Sequence, residues 1–198
     1  MTGVRGCISN VASNYKGDVT LTTLLLVTGL PGCGKTTIAE SVAADLNASV
    51  IGHDWVMAGL RVHPTVWNEI EELDRVAHRS VGWTIMWNLG LAQLRMGRSI
   101  ILDGVARAPE ISRTRAIAQE VGARSLVALC SAPTVDIHRE RIVGRVRNIP
   151  EWPELIWEDV ENSRHTWEAP NDVDLVLDPD QPLATSSASL RSLLETGG

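Results

Sequence analysis

The sequence predicts an α/β fold: a three-layer α/β/α sandwich around a five-stranded, mainly parallel sheet, with a small helical lid. Three observations carry this. Short apolar runs at residues 20–28, 48–52, 98–102, 124–130 and 173–177 alternate with longer segments whose apolar residues recur every three or four positions. A glycine-rich turn joins the first run directly to the first helical segment. Among the acids near the ends of these runs are Asp54 after the second and Asp103 after the third. That is the edge at which open parallel sheets place their ligands.

The 198 residues and 44% apolar content suit one domain over residues 20–198. Residues 1–19 are polar with little periodicity and read as a flexible N-terminal arm. The lid is expected at about residues 134–168. A net charge of −6 argues against salt-driven binding to duplex nucleic acid. No apolar run approaches the roughly 18 residues of a membrane span. Cys7, Cys33 and Cys130 form no metal or CxxC spacing, and residues 1–18 carry no apolar h-region. Reduced thiols in a cytoplasmic protein are the expectation.

The first run is apolar and β-branched, as a buried strand should be. Gly29-Leu-Pro31-Gly32-Cys33-Gly34-Lys35-Thr36-Thr37 follows, and matches the P-loop pattern Gly-x-x-x-x-Gly-Lys-Thr. Its chemistry explains the spacing. Gly32 and Gly34 let successive backbone N–H groups turn toward one anion, and the next helix adds its positive dipole end. Lys35 can reach the β- and γ-phosphates, and the Thr36 hydroxyl can bind Mg²⁺. Lys35 is one of only two lysines, the other being Lys16. Ile38, Val42 and Leu46 line the helix.

The second run delivers His53-Asp54-Trp55. Asp54 is placed to accept a proton from an incoming hydroxyl, or to cap the helix that follows. His53 reads as a packing or orienting residue. Arg61 lies one or two turns on, to meet an acceptor or to sit in solvent. After His63-Pro64-Thr65, the spacing of Val66, Ile70, Leu73, Ala77, Val81, Ile85, Leu89, Ala92 and Met96 predicts one long helix ended by Gly97. Trp83 and Trp87, one turn apart on it, either wall an acceptor pocket or pack against the sheet.

The third run ends in Asp103-Gly104, an acid placed to hold Mg²⁺ beside Thr36, or a turn residue. Arg107 falls at the mouth of the same cleft. Pro109 and Glu110 open a helix that Gly122 closes. After the fourth strand comes an arginine-rich helix with Arg139, Arg141, Arg145 and Arg147, on which Arg141 and Arg145 share a face. Its position after a strand end points to phosphate clamping. A break at residues 148–153, a helix over 154–168, a fifth strand and a terminal helix with Leu190, Leu193 and Leu194 complete the chain.

In order and motifs, residues 20–196 resemble the small P-loop kinases of the adenylate-kinase, gluconate-kinase, chloramphenicol-phosphotransferase and polynucleotide-kinase type. Four points carry the resemblance: residues 29–37, His53-Asp54-Trp55, Asp103-Gly-Val-Ala-Arg107, and Arg141-Ile-Val-Gly-Arg145. It implies a P-loop NTPase fold, ATP and Mg²⁺ as ligands, Asp54 as the base, Arg107 on a phosphate, and Arg141 and Arg145 on the nucleotide. The segment after Arg145 departs from an adenylate-kinase lid, and no nucleoside-monophosphate site is recognisable. An aspartate base suits an alcohol better than a phosphate anion.

The expected protein is therefore an ATP-dependent phosphotransferase acting on a hydroxyl of a small molecule: a nucleoside, sugar or antibiotic. Lys35, Asp54, Arg141 and Arg145 are the catalytic candidates. Gly29, Pro31, Gly32, Cys33, Gly34, Lys35, Thr36, Thr37 and Arg141 would bind ATP, and Thr36 and Asp103 would hold Mg²⁺. Asp54, Arg61, Trp83, Trp87 and Arg107 would meet the acceptor. A polynucleotide 5′-hydroxyl kinase, a nucleotide kinase and a non-catalytic ATP-binding module are the alternatives. A GTPase is disfavoured by the absence of an Asn-Lys-x-Asp guanine motif.

Overall fold

The computed structural model describes residues 22–196, so the arm expected at residues 1–19 lies outside the described residues. Five strands form one sheet: β1 (Thr23–Thr28), β2 (Ser49–Gly52), β3 (Ile100–Asp103), β4 (Arg124–Cys130) and β5 (Leu175–Leu177). They lie in the order β2-β3-β1-β4-β5, and every neighbouring pair is parallel. Helices fill the crossovers, namely α1 (Lys35–Ala43), α2 (His53–Arg61), α3 (Pro64–Glu71), α4 (Arg75–Arg95), α5 (Ala108–Glu120), α6 (Val135–Ile142) and α7 (Trp157–Thr166), and α8 (Leu183–Glu195) follows β5.

The central strand shows why the sheet needs cover on both faces. Successive side chains of a strand point to opposite faces. Leu25 and Val27 face a core made with Ile38, Ala39 and Val42 of α1 and Leu190 of α8. Leu24 and Leu26 face a second core made with Trp83, Met86 and Leu94 of α4 and Ile111 and Ile117 of α5. The continuous apolar run of the sequence is thus a strand buried on two sides.

Three local expectations change. The long helix over residues 66–96 is two helices, because Asp74 caps a new start by accepting from the backbone N–H groups of Val76 and Ala77. The face of α4 turned inward carries Gly82, Trp83, Met86, Gly90 and Leu94. The Leu89 and Met96 expected there are 48% and 57% exposed. The arginine-rich helix stops at Ile142, since Val143 is extended and Gly144 takes φ +76°. Arg145 and Arg147 therefore lie beyond the helix, and Arg141 and Arg145 share no helical face.

Trp83 is a core residue, not a pocket wall. It is fully buried, its ring centroid 5.8 Å from those of His53 and Trp87. Its indole N–H has no partner among the described residues. Trp83→Ala is expected to cost about 3–5 kcal/mol, read as a lower denaturant midpoint. Trp83→Phe should cost far less, because it fills most of the volume and removes the unpaired donor.

Candidate active site

The sheet register brings three strand ends into one row. Asp103 pairs with Val27 on one side and Gly52 on the other. The loop after β1, the acid ending β3 and the His53-Asp54 pair starting α2 therefore open on the same edge.

The loop at residues 29–34 turns because of its glycines. Gly29, Gly32 and Gly34 take φ of +144°, +83° and +89°. At Gly29 a Cβ would lie 2.3 Å from the Cys130 carbonyl oxygen, so both space and conformation demand glycine. Gly34 caps α1, leaving the helix's first N–H groups aimed at the loop's hollow. Lys35 Nζ donates to the Leu30 carbonyl at 3.0 Å, across the loop it belongs to.

Thr36 Oγ1 donates to Asp103 Oδ2 at 2.6 Å. Asp103 is only 7% exposed, and burial pushes its carboxyl up against the opposing pull of Lys35 and the Thr36 hydrogen bond. The charges of Asp54 and Arg145 also act on it, the first raising it and the second lowering it. Both donors are hard oxygens, and a cation beside them would relieve the cost of a buried carboxylate. They fit Mg²⁺, which takes one or two protein oxygens and completes its shell with phosphate and water. Among the described residues no three His, Cys, Asp or Glu side chains gather into a metal-sized group.

Asp54 lies in the first turn of α2 behind Gly52, which is the N-cap, so the capping alternative falls away. Its carboxylate is 45% exposed and takes an ion pair from Arg147, whose Nη1 donates to Oδ2 at 2.6 Å. Arg147 is only 8% exposed. Glu154 accepts from its Nε at 3.2 Å, and the Pro153 carbonyl also accepts from its guanidinium. This loop is pinned further by Trp152, edge-on to Trp67 at 5.8 Å. The sequence pattern sets Arg147 in a helix suited to phosphate clamping; the structure pairs it with Asp54 instead. Its partner lies 93 positions away, beyond the reach of any local pattern.

His53 Nε2 donates to the Arg79 carbonyl at 3.1 Å, and burial lowers its basicity. Arg61 stacks over Trp67 at 5.5 Å. Trp87 Nε1 donates to Thr114 Oγ1 of α5 at 3.1 Å, which turns it toward the helical layer. Arg107 makes no hydrogen bond through its guanidinium among the described residues. Partial burial and the neighbouring Arg79 and Arg75 charges depress its pKa, with Glu110 opposing them.

On the other side of the loop a cavity of about 260 Å³ is bounded by Gly32, Cys33, Gly34, Thr37, Arg141 and the loop after β5. Arg141 Nη2 donates to the Pro179 carbonyl at 2.8 Å, closing its rim. Asp178, Pro179 and Gln181 were not among the candidate residues. The strand-end rule was the available signal, since β5 joins the same parallel sheet.

A family model described as an AAA domain matches residues 24–166. The chain belongs to this AAA-domain family. An uncharacterized protein of Mycobacterium tuberculosis is 35% identical to this AAA domain over 130 residues. The match covers 62% of the chain and spans a quarter of that relative's length, 25%. The fold of this AAA domain is that of small P-loop kinases. A gluconokinase from Sinorhizobium meliloti superposes with a TM-score of 0.64 at 18% identity, over 89% of this chain and 95% of that one. The Mycobacterium tuberculosis APS kinase CysC, solved with AMPPNP and APS, gives 0.65 at 18% identity, over 88% and 98%. No helix among the described residues of the AAA domain is long and apolar enough to cross a membrane.

Proposed function

We propose that this chain is an ATP-dependent phosphotransferase that moves the γ-phosphate of Mg·ATP to a hydroxyl of a small molecule such as a nucleoside, a sugar or an antibiotic. The observation that carries this is the shared row of Val27, Asp103 and Gly52, which sets the P-loop, a metal-suited acid and a half-exposed second acid on one edge.

The P-loop N–H groups and Lys35 bind the polyphosphate. Thr36 and Asp103 hold Mg²⁺, which supplies charge neutralisation on the phosphates. Asp54 orients the acceptor hydroxyl and takes its proton. Arg147 occupies Oδ2 of that carboxylate, leaving Oδ1 for the hydroxyl. Arg141 and Arg145, from a lid over residues 134–168, close on the phosphates and exclude water. Arg107, with its uncommitted guanidinium, positions the acceptor. The cavity beside Arg141 takes the nucleoside end of ATP. Buried free thiols at Cys33 and Cys130 fit a reducing, cytoplasmic setting.

The test is ADP release from Mg·ATP with pooled acceptors (nucleosides, sugars, hydroxylated antibiotics, 5′-hydroxyl oligonucleotides) and Lys35→Ala as the blank. One stimulating pool is the expected result. Lys35-dependent ATP binding with no stimulation by any pool would instead favour a binding module. With the acceptor found, Arg147→Ala should lower kcat roughly 10- to 100-fold with the ATP KM unchanged, the loss of one charge-assisted hydrogen bond. A rise in turnover would mean that the pair blocks Asp54 rather than orients it.

A further inference from the structure

The outer side of the P-loop is held by a buried histidine that the phosphate chemistry does not use. His138, on α6, is fully buried. Its Nε2 lies 2.6 Å from the Pro31 carbonyl oxygen. Its Nδ1 lies 2.8 Å from Arg164 Nη1, and that guanidinium also donates to the Pro133 carbonyl at 3.1 Å. The two contacts fix one protonation state. A guanidinium only donates, so Nδ1 carries a lone pair; a carbonyl only accepts, so Nε2 carries the proton. Both demands are met by the neutral Nε2–H tautomer. Burial and the nearby positive charges of Arg164, Arg141 and Lys35 oppose a second proton on the ring. Cys33, whose Sγ is 3.9 Å from Nε2, adds a thiol that burial keeps protonated.

The packing is close on this side. A Cβ at Gly32 would lie 2.5 Å from Ile142 Cδ1 and 3.2 Å from His138 Nε2. Trp157 of α7 meets the His138 ring edge-on at 5.8 Å. The helices α6 and α7 thus reach the loop through one polar chain, Arg164 to His138 to Pro31, seated in an apolar collar.

We infer that His138 and Arg164 are positioning residues for nucleotide binding: Arg164 sets the tautomer of His138, and His138 holds the Pro31 carbonyl outward so that the loop's N–H groups face the phosphates. This rests on the P-loop binding a nucleotide, as proposed above. The carbonyl and N–H of a peptide plane point in opposite directions, so fixing the Pro31 carbonyl fixes the Gly32 N–H. A fully buried imidazole spends its only donor there, and the donor is lost if the tautomer changes.

The test compares ATP affinity, by calorimetry, in the intact chain and three variants. His138→Gln keeps a donor and an acceptor in one planar group and should bind within about threefold of wild type. His138→Ala should weaken binding tenfold or more. Arg164→Met should weaken it in the same direction while the Pro31 contact residue is untouched. Nitrogen-15 imidazole shifts should report Nε2–H for His138 in wild type and a mixed tautomer in Arg164→Met. Wild-type affinity in His138→Ala, or an equal loss in His138→Gln and His138→Ala, overturns the assignment. Should wild type bind no nucleotide, the phosphotransferase function falls with the affinity effect. An Nδ1–H tautomer in wild type would remove the relay by itself.

Discussion

Lys35→Ala is expected to lower turnover by two to three orders of magnitude. Lys35 is the one lysine among the described residues, and its Nζ already lies within the loop, 3.0 Å from the Leu30 carbonyl. No other lysine among the described residues can move in to replace it. In the proposed transfer, an ammonium at this place meets charge that grows on the β–γ bridge as the phosphoryl group leaves. Removing one such stabilising donor costs on the order of 10²–10³ in rate. The same ammonium opposes the burial that raises Asp103, so its loss also leaves a metal-suited carboxylate less ready to ionise. Steady-state kinetics with the identified acceptor checks the rate. Melting of the variant checks that the fold is intact. Turnover within threefold of wild type in a folded Lys35→Ala would remove the P-loop from the chemistry.

Asp54→Asn should lower kcat by about 10²–10⁴, the usual range for a positioned general base, while ATP binding stays intact. The amide keeps the shape and an oxygen for Arg147, so the Arg147 loop has no steric reason to leave. What it loses is the ability to take a proton. The substitution therefore separates a base from a scaffold residue. Single-turnover transfer measured beside ATP affinity is the decisive pair: slow transfer with normal affinity supports the base, and normal transfer removes it. A non-catalytic ATP module would show no transfer in wild type at all.

Much of this architecture is local, and so legible without coordinates. The run at residues 124–130 is the fourth strand to the residue, because an apolar stretch bounded by Gly122 and Pro133 has only one way to start and stop. The P-loop is recognisable because its glycines answer a backbone demand, seen as positive φ at Gly29, Gly32 and Gly34. Asp103 is legible as the acid ending a buried strand. The face of α4 was harder. Two apolar stripes run along it, one through Val81, Ile85 and Leu89 and one through Trp83, Met86 and Leu94. Gly82 decides between them: a Cβ there would lie 2.5 Å from His53 Nε2, so only the glycine-bearing side can approach α2 this closely.

The sequence by itself determined the strand count, the parallel class, the phosphate loop and the acids Asp54 and Asp103 near two strand ends, since each is written in residues within a few positions of one another. Only the tertiary structure decided that Arg147 holds Asp54 from 93 positions away and that His138 holds Pro31 from 107. The physical reason is the strand order. Parallel crossovers set β2 beside β3, and β3 and β4 on either side of β1. This brings the ends of distant segments to one edge, and no periodicity along the chain encodes which side chains then meet.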